Sequence, residues 1–96
     1  MSAFVIVDTK ISDLDAYEEY KALARPLAEK HGGEYLTRGG DMDVVESDLW
    51  SPTRIVIVKF PDMEAARAFM NSKEYEPVKA IRHANAKCTT LIVDGI

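Results

Sequence analysis

The sequence predicts an α+β fold, in which helices pack on one face of a four-stranded antiparallel sheet. The first observation is the stretch from residue 53 to 72, which contains a strand, a tight junction and a helix in that order. Asp62 is suited to cap that helix, and an apolar stripe follows on one helical face at Met63, Ala66, Phe69 and Met70. The second observation is the order of elements along the chain: strand, helix, strand, strand, helix, strand.

The first half of the chain supplies a strand and a long helix. The strand spans Ala3 to Thr9, and the helix runs from about Asp13 to His31 with Ser12 or Asp13 as its cap. A buried stripe at helical spacing is formed by Leu14, Tyr17, Tyr20, Ala24, Leu27 and His31. The stripe keeps its phase across Pro26, so we expect one kinked helix, which Gly32 and Gly33 then end.

A hairpin follows this helix. We expect its first strand over about Glu34 to Ser47, interrupted at residues 38–41, a loop over Asp48 to Pro52, and its second strand over Arg54 to Phe60. Paired glycines within a strand indicate a bulge or a close approach of another group. In this register Glu46 lies opposite Arg54, which allows a cross-strand ion pair or an arginine held toward an acidic ligand.

The second half of the chain completes the pattern. A helix over Met63 to Asn71 is followed by a further helical segment, capped by Ser72 and reaching about Asn85, with a break near residues 74–76 because Pro77 suits only a first turn. The last strand spans Cys88 to Asp94. The elements together predict a ferredoxin-like βαββαβ fold.

The predicted strands 1, 3 and 4 are apolar on both faces, although an antiparallel sheet with one wet face should alternate. The helices can cover only one face, so something must cover the other. The simplest cover is the same face of a second copy, which predicts a homodimer and a dimeric α+β barrel.

Composition narrows the class of protein. The 96 residues suit one domain over residues 1–96, and 47% hydrophobic with 29% charged residues is ordinary for a globular chain. A net charge of −4 argues against nucleic-acid binding, and no apolar run is long enough for a membrane span. We expect no signal peptide, and the single Cys88 fits a cytoplasmic location.

Short motifs in a consistent order suggest a family. They are Asp15-Ala16-Tyr17 with Tyr20, His31-Gly32-Gly33, Arg38-Gly39-Gly40, Arg54, Phe60-Pro61, Glu64-Ala65-Ala66, Ser72 with Tyr75, and Arg82. In these the chain resembles family 1330 of the domains of unknown function, within the dimeric α+β barrel superfamily. The resemblance implies a homodimer whose two sheets face each other, and it implies no established reaction. Related barrels include cofactor-independent monooxygenases and small isomerases.

Four residues form the candidate ligand site, between the first helix and the sheet: Tyr20, His31, Arg38 and Arg54. Each also has a plain structural interpretation. Tyr20 can fill the core or donate a proton, and His31 can be a general base or simply stabilise a helix C-terminus. The Arg38–Asp41 segment can cradle an anion or form a bulge that bends the strand.

Other chemistry is not indicated by the sequence. The two histidines and one cysteine have no metal-ligand spacing, and no nucleotide fingerprint is present, so we expect no metal and no cofactor. Cys88 fits a small buried residue better than a nucleophile, and Arg82 falls in a basic stretch typical of a solvated surface. The sequence therefore favours a protein that binds a small organic molecule, acidic if the arginines bind it. A cofactor-independent oxygenase or isomerase and a non-catalytic assembly module are the alternatives.

Overall fold

The computed structural model describes all 96 residues of the chain. Its elements in chain order are β1 (Ala3–Ile11), α1 (Leu14–Lys30), β2 (Glu34–Arg38), β3 (Ile55–Phe60), α2 (Met63–Met70), α3 (Tyr75–Asn85) and β4 (Ala86–Asp94). The strands form one sheet in the order β2-β3-β1-β4, and every neighbouring pair is antiparallel. This is the predicted ferredoxin-like fold. None of its helices has the length and apolar character that crossing a membrane requires.

Side-chain caps begin α1 and α2, and a serine three residues before α3 bonds to its first amide. The carboxylate of Asp13 accepts a hydrogen bond from the Ala16 amide at 3.1 Å, and Asp62 accepts one from the Ala65 amide at 2.7 Å. The Ser72 hydroxyl accepts from the Tyr75 amide at 3.2 Å, which confirms the predicted restart of the chain as a helix. Each cap satisfies a donor that the helix itself leaves free.

Helix α1 remains continuous through Pro26, whose side chain is exposed to solvent. Its buried residues are Tyr17, Ala24 and Ala28. The prediction that Leu14 belongs to the buried stripe was wrong, because Leu14 lies in the first turn of α1 and is 70% exposed.

The hairpin differs most from the prediction. Strand β2 ends at Arg38 instead of Ser47, after a bulge between Tyr35 and Thr37, and Gly39 turns the chain with a φ of +72°. Residues 40–54 form no strand, so the expected pairing of Glu46 with Arg54 and the loop at 48–52 were also wrong. The amides of Thr53 and Arg54 donate to the carboxylate of Asp8 on β1, which holds the segment just before β3 against β1.

The sheet has one covered face and one uncovered face. Helices pack over the face that carries Val5, Val56, Val58 and Phe60, and together these residues form the core. The opposite face carries Phe4, Ile6, Ile55 and Ile57 in the middle of the central strands, with charged residues toward the strand ends. At its β4 edge Leu91 and Val93 are 37% and 43% exposed. The run of apolar residues seen in the sequence therefore does place apolar side chains on both faces.

Candidate functional site

The register of the sheet sets apolar and polar residues side by side under the helices. One row across the four strands consists of Arg38, Val56, Val7 and Thr90. The next row places Arg54 beside Thr9, whose amide donates to the Arg54 carbonyl at 3.0 Å, and Thr9 is paired with Cys88. The end of the helix–sheet layer is therefore polar, although the rest of the layer is an ordinary apolar core.

A cavity lies at this end, between the sheet, α1 and α3. It contains about 490 Å³ of empty space including its open mouth, but only about 40 Å³ of it admits the centre of a water molecule. Valines of β1 and β3 line its floor, and Tyr17, Tyr20, Tyr35 and Tyr75 contribute aromatic walls. Its volume suits a few waters, so a larger ligand requires side chains at the mouth to move.

Lys21 and Arg38 separate the cavity from solvent. Both also line a shallow groove on the outer side of α1, so they form the boundary between the cavity and the surface. The guanidinium of Arg38 donates to the Lys21 carbonyl at 2.8 Å and lies 4.9 Å above the ring of Tyr35. These contacts are with neutral groups, which leaves the charge of Arg38 without a counterion.

Two tyrosine hydroxyls meet inside the cavity. The hydroxyl oxygens of Tyr20 and Tyr75 are 2.6 Å apart, and one of them donates to the other. Burial, together with the neighbouring Tyr75, raises the pKa of Tyr20 far above its ordinary value, so the hydroxyl stays protonated. The pair uses one of its two protons internally, which leaves the second O–H free to donate to a ligand.

Arg82 is the most unusual residue of the site, because its side chain is charged and only 3% exposed. One terminal nitrogen donates to the Thr90 hydroxyl at 3.2 Å, but its buried Nε has no hydrogen-bond partner. Burial disfavours the charge, yet the Tyr75 hydroxyl and the Cys88 thiol beside it raise the pKa of Arg82, so the guanidinium remains ionised. A buried charge without an acidic partner is costly to a fold.

Arg54 approaches the cavity from the start of β3. Its guanidinium lies 5.6 Å from the centre of the Tyr17 ring and passes directly over Gly39. A Cβ at Gly39 would lie only 2.7 Å from Nε of Arg54, so the absence of a side chain there makes room for the arginine. Gly39 and Arg54 thus bring the Arg38 end of β2 and the start of β3 to one corner of the cavity.

None of these three arginines forms an ion pair. The ion pairs in the molecule join Lys21 with Glu18, Arg25 with Glu29, and Lys30 with Glu74, all on the helical surface. The cavity lining contains no aspartate, glutamate or histidine. The site therefore concentrates uncompensated positive charge in partly buried surroundings, where electrostatic interactions are strong.

Asp8, on the uncovered face of β1, holds the segment that carries Arg54. Its carboxylate accepts hydrogen bonds from the Trp50 indole at 3.0 Å, the Thr53 amide at 2.9 Å and the Arg54 amide at 3.0 Å. Partial burial opposes ionisation, but these donors hold the pKa of Asp8 below its ordinary value. This carboxylate fixes the backbone from which the Arg54 side chain enters the cavity.

Three of the four residues predicted for the site line the cavity together: Tyr20, Arg38 and Arg54. His31 lies outside it, at the C-terminus of α1, where Nδ1 is 2.9 Å from the Leu27 carbonyl and the ring packs 5.9 Å from that of Phe69. Its geometry matches the plain interpretation, a residue that caps the helix.

Sequence reasoning missed Tyr75 and Arg82 as site residues. The interpretation of Arg82 as part of a solvated surface was wrong, because it shares the buried face of α3 with Tyr75 and Val78. The spacing of Tyr75, Val78 and Arg82 was the available signal, since it places an arginine on an apolar helical stripe. Asp8 was missed because its partners lie more than 40 residues away in the sequence.

The donor set offers nothing that suits a metal ion. No three side chains of histidine, cysteine, aspartate or glutamate converge anywhere in the chain. The expectation that the protein uses no metal or organic cofactor stays a prediction.

The fold defines a class of small α+β proteins with known structures. RPA0582 from Rhodopseudomonas palustris, a protein of unknown function, superposes with a TM-score of 0.75 at 14% identity, covering 99% of this chain and 82% of that one. A dimeric ferredoxin-like protein of unknown function from Jannaschia sp. CCS1 gives 0.74 at 15% identity, covering 99% and 100%. SnoaB from Streptomyces nogalater, a cofactor-independent oxygenase, gives 0.74 at 10% identity, covering 99% and 93%. At these identities the likeness establishes the fold.

The chain belongs to the family described as a domain of unknown function, DUF1330, whose model matches residues 2–96. This confirms the resemblance drawn from the sequence motifs. No curated protein sequence matches the chain significantly.

Proposed function

We propose that this protein binds a small organic acid in the cavity between α1, α3 and the sheet. The observation that carries the proposal is Arg82, a charged side chain only 3% exposed that has no acidic partner and an unsatisfied Nε. A fold tolerates such a group when a ligand supplies the missing anion, because binding then offsets the cost of burial.

The neighbouring groups support the same ligand chemistry. Arg38 and Arg54 contribute two further guanidinium groups without counterions, and the Tyr20–Tyr75 pair has one O–H to donate. A carboxylate accepts hydrogen bonds and donates none, so it matches a lining made of donors. The valines and aromatic rings between these groups suit a short hydrocarbon body.

We further propose that the protein acts as a homodimer in the cytoplasm, without nucleic acid as a partner. Apolar residues occupy the face of the sheet that no helix covers, with Leu91 and Val93 exposed at its edge. Large exposed apolar patches indicate interaction sites. Similar structures from Jannaschia sp. CCS1 and Thermobifida fusca are described as dimeric, which supports a second copy as the cover. The unpaired Cys88 is compatible with a reducing compartment.

Binding alone is the function that the geometry supports best. An oxygenase or isomerase that removes a proton from its substrate needs a general base, and none of the lining side chains is a carboxylate or an imidazole. The likeness to SnoaB concerns the fold, and fold by itself does not define a reaction.

A thermal-shift screen of short monocarboxylates tests the proposal. A ligand at a hundredfold excess over its dissociation constant should raise the free energy of unfolding by about 2.7 kcal/mol. Arg82→Met, Arg38→Met and Arg54→Met should each reduce that stabilisation and leave the oligomeric state unchanged. Arg67→Met is the matched control, because Arg67 is exposed on α2 and away from the cavity. Equal shifts for all four variants would refute the site.

A further inference from the structure

We infer that the ligand of this cavity is a small aliphatic dicarboxylate, bound at one end by Arg82 and at the other by Arg38 with Arg54. This inference rests on the proposed function, since it specifies the class of acid that the same cavity takes. Its basis is the placement of the three guanidinium groups, which form two separate anion-binding ends.

The sheet topology sets these two ends apart. Arg38 belongs to β2 and its guanidinium lies over Tyr35 of the same strand, while Arg82 donates to Thr90 of β4. Strands β2 and β4 are the two edges of the sheet. Three strand spacings of about 4.8 Å separate the backbones of the edge strands by roughly 14 Å. Each guanidinium is held by a residue of its own edge strand, so the two groups mark opposite ends of the cavity.

Arg54 belongs with the Arg38 end. It enters from β3, the neighbour of β2, and its guanidinium passes over Gly39, the residue that follows Arg38. The two arginines therefore converge on one corner, where they can hold one carboxylate through charge-assisted hydrogen bonds. At the other end, Arg82 acts with the hydroxyls of Tyr20 and Tyr75.

The region between the two ends is apolar. The strands between β2 and β4 contribute Val56 and Val7 to the row that joins Arg38 to Thr90. The aromatic rings of Tyr17 and Tyr20 cover this row from α1, with centroids 5.0 Å apart. A hydrocarbon chain gives up no hydrogen bonds when it is buried there, whereas a polar spacer would lose its hydrogen bonds to water and find no partner.

The balance of charge in the cavity also favours a ligand with two carboxylates. One carboxylate would compensate only one end and leave a buried or partly buried guanidinium at the other without a counterion. Two carboxylates joined by a short chain compensate both ends. The ligand must be slender, because only about 40 Å³ of the cavity is wide enough for a water molecule before side chains at the mouth move.

Titration calorimetry with matched pairs of acids tests the inference on the full chain. The probes are the dicarboxylates from succinate to pimelate and the monocarboxylates of the same lengths, at constant ionic strength. We expect a dicarboxylate of one preferred length to bind about tenfold or more tightly than its monocarboxylate, since a second charge-assisted contact is worth that much. Arg82→Met should bring the ratio of the two affinities to about one, and Arg38→Met should lower it, because only Arg54 then remains at that end. Arg67→Met should leave it unchanged.

Each result has a distinct meaning. If monocarboxylates and dicarboxylates bind equally well, the two-ended ligand is refuted and the proposed acid-binding function stands. If neither binds, both the inference and the proposed function fail. If Arg67→Met lowers the ratio as much as Arg82→Met does, the preference reflects overall charge, and the inference is overturned. Arg38 is half-buried at the mouth, so its variant provides the test even if Arg82→Met does not fold.

Discussion

In the proposed function, Arg82 serves ligand binding at a cost to the stability of the free protein. Its guanidinium is buried without an acid, and its Nε lacks a partner. The Thr90 hydroxyl and the Cys88 thiol are the side-chain acceptors beside it, and these contacts offset only part of the desolvation cost. Residues that a ligand requires are often suboptimal for the free protein.

The first prediction concerns the stability of the free protein. Arg82→Met should leave the free energy of unfolding unchanged or raise it, on the order of 1 kcal/mol, because the unsatisfied charged group is removed and its volume is kept. The same variant should lose ligand-induced stabilisation. Urea unfolding with and without acid measures both effects. A loss of more than about 2 kcal/mol in the free protein would show that Arg82 is a structural residue.

Asp8 supports a second prediction at this scale. Its folded-state pKa is depressed, so its carboxylate stabilises the fold above the unfolded-state pKa of about 3.9, and this contribution is lost as pH falls through the folded pKa. Asp8→Asn should therefore be less stable than the unmodified protein at pH 7, and the difference should shrink below about pH 4. Unfolding curves at both pH values measure it. Asp43→Asn, which removes an exposed carboxylate outside the helices, is the control. A difference independent of pH would contradict the role given to the Asp8 charge.

The individual elements were predictable where local chemistry determines them. Asp13, Asp62 and Ser72 begin helices through hydrogen bonds to amides only three residues away, so the sequence contains the whole signal. The second strand was predicted nine residues too long, because the chain turns at Gly39, and the segment before β3 is instead held by Asp8 of a distant strand through the amides of residues 53 and 54. The site followed the same rule: Arg38 and Arg54 were predicted because they flank the hairpin that contains Gly39 and Gly40, and Asp8 was not predicted.

Gly39 gives a prediction for the hairpin. Gly39→Ala should destabilise the fold by about 1 kcal/mol, because an alanine strains at the positive φ of this position. It should also displace the Arg54 guanidinium, whose Nε would lie 2.7 Å from the new Cβ, and weaken acid binding. Thermal shift with and without acid measures both. Gly40→Ala is the matched control, since its Cβ would meet only the Thr37 hydroxyl, at 3.2 Å. Equal loss of binding in both variants would mean that the passage of Arg54 over Gly39 is unimportant.

At the scale of the whole molecule, the two faces of the sheet have different roles. The helix-covered face contains the core and the cavity. The uncovered face has an apolar middle, which belongs neither to the core nor to the cavity. Asp8 joins the two, because its side chain is on the uncovered face while the segment it holds delivers Arg54 to the cavity. The existence of an apolar uncovered face could be predicted from the apolar runs in the strands. Which side chains point to which face could be known only from the register of the sheet. Val56 proved to point to the helices, and Ile57 points away.

The last prediction is that Ile57→Asp abolishes self-association. Ile57 lies in the middle of the uncovered face, paired with Ile6 of β1 and Thr37 of β2, so an aspartate there would be buried unpaired between two sheets. Light scattering of the unmodified protein should give about twice the chain mass of 10.7 kDa, and the variant should give the monomer mass. Ala22→Asp, on the exposed side of α1, is the matched control and should remain dimeric. A dimer that survives Ile57→Asp would place the interface elsewhere, and a monomeric unmodified protein at micromolar concentration would refute the homodimer.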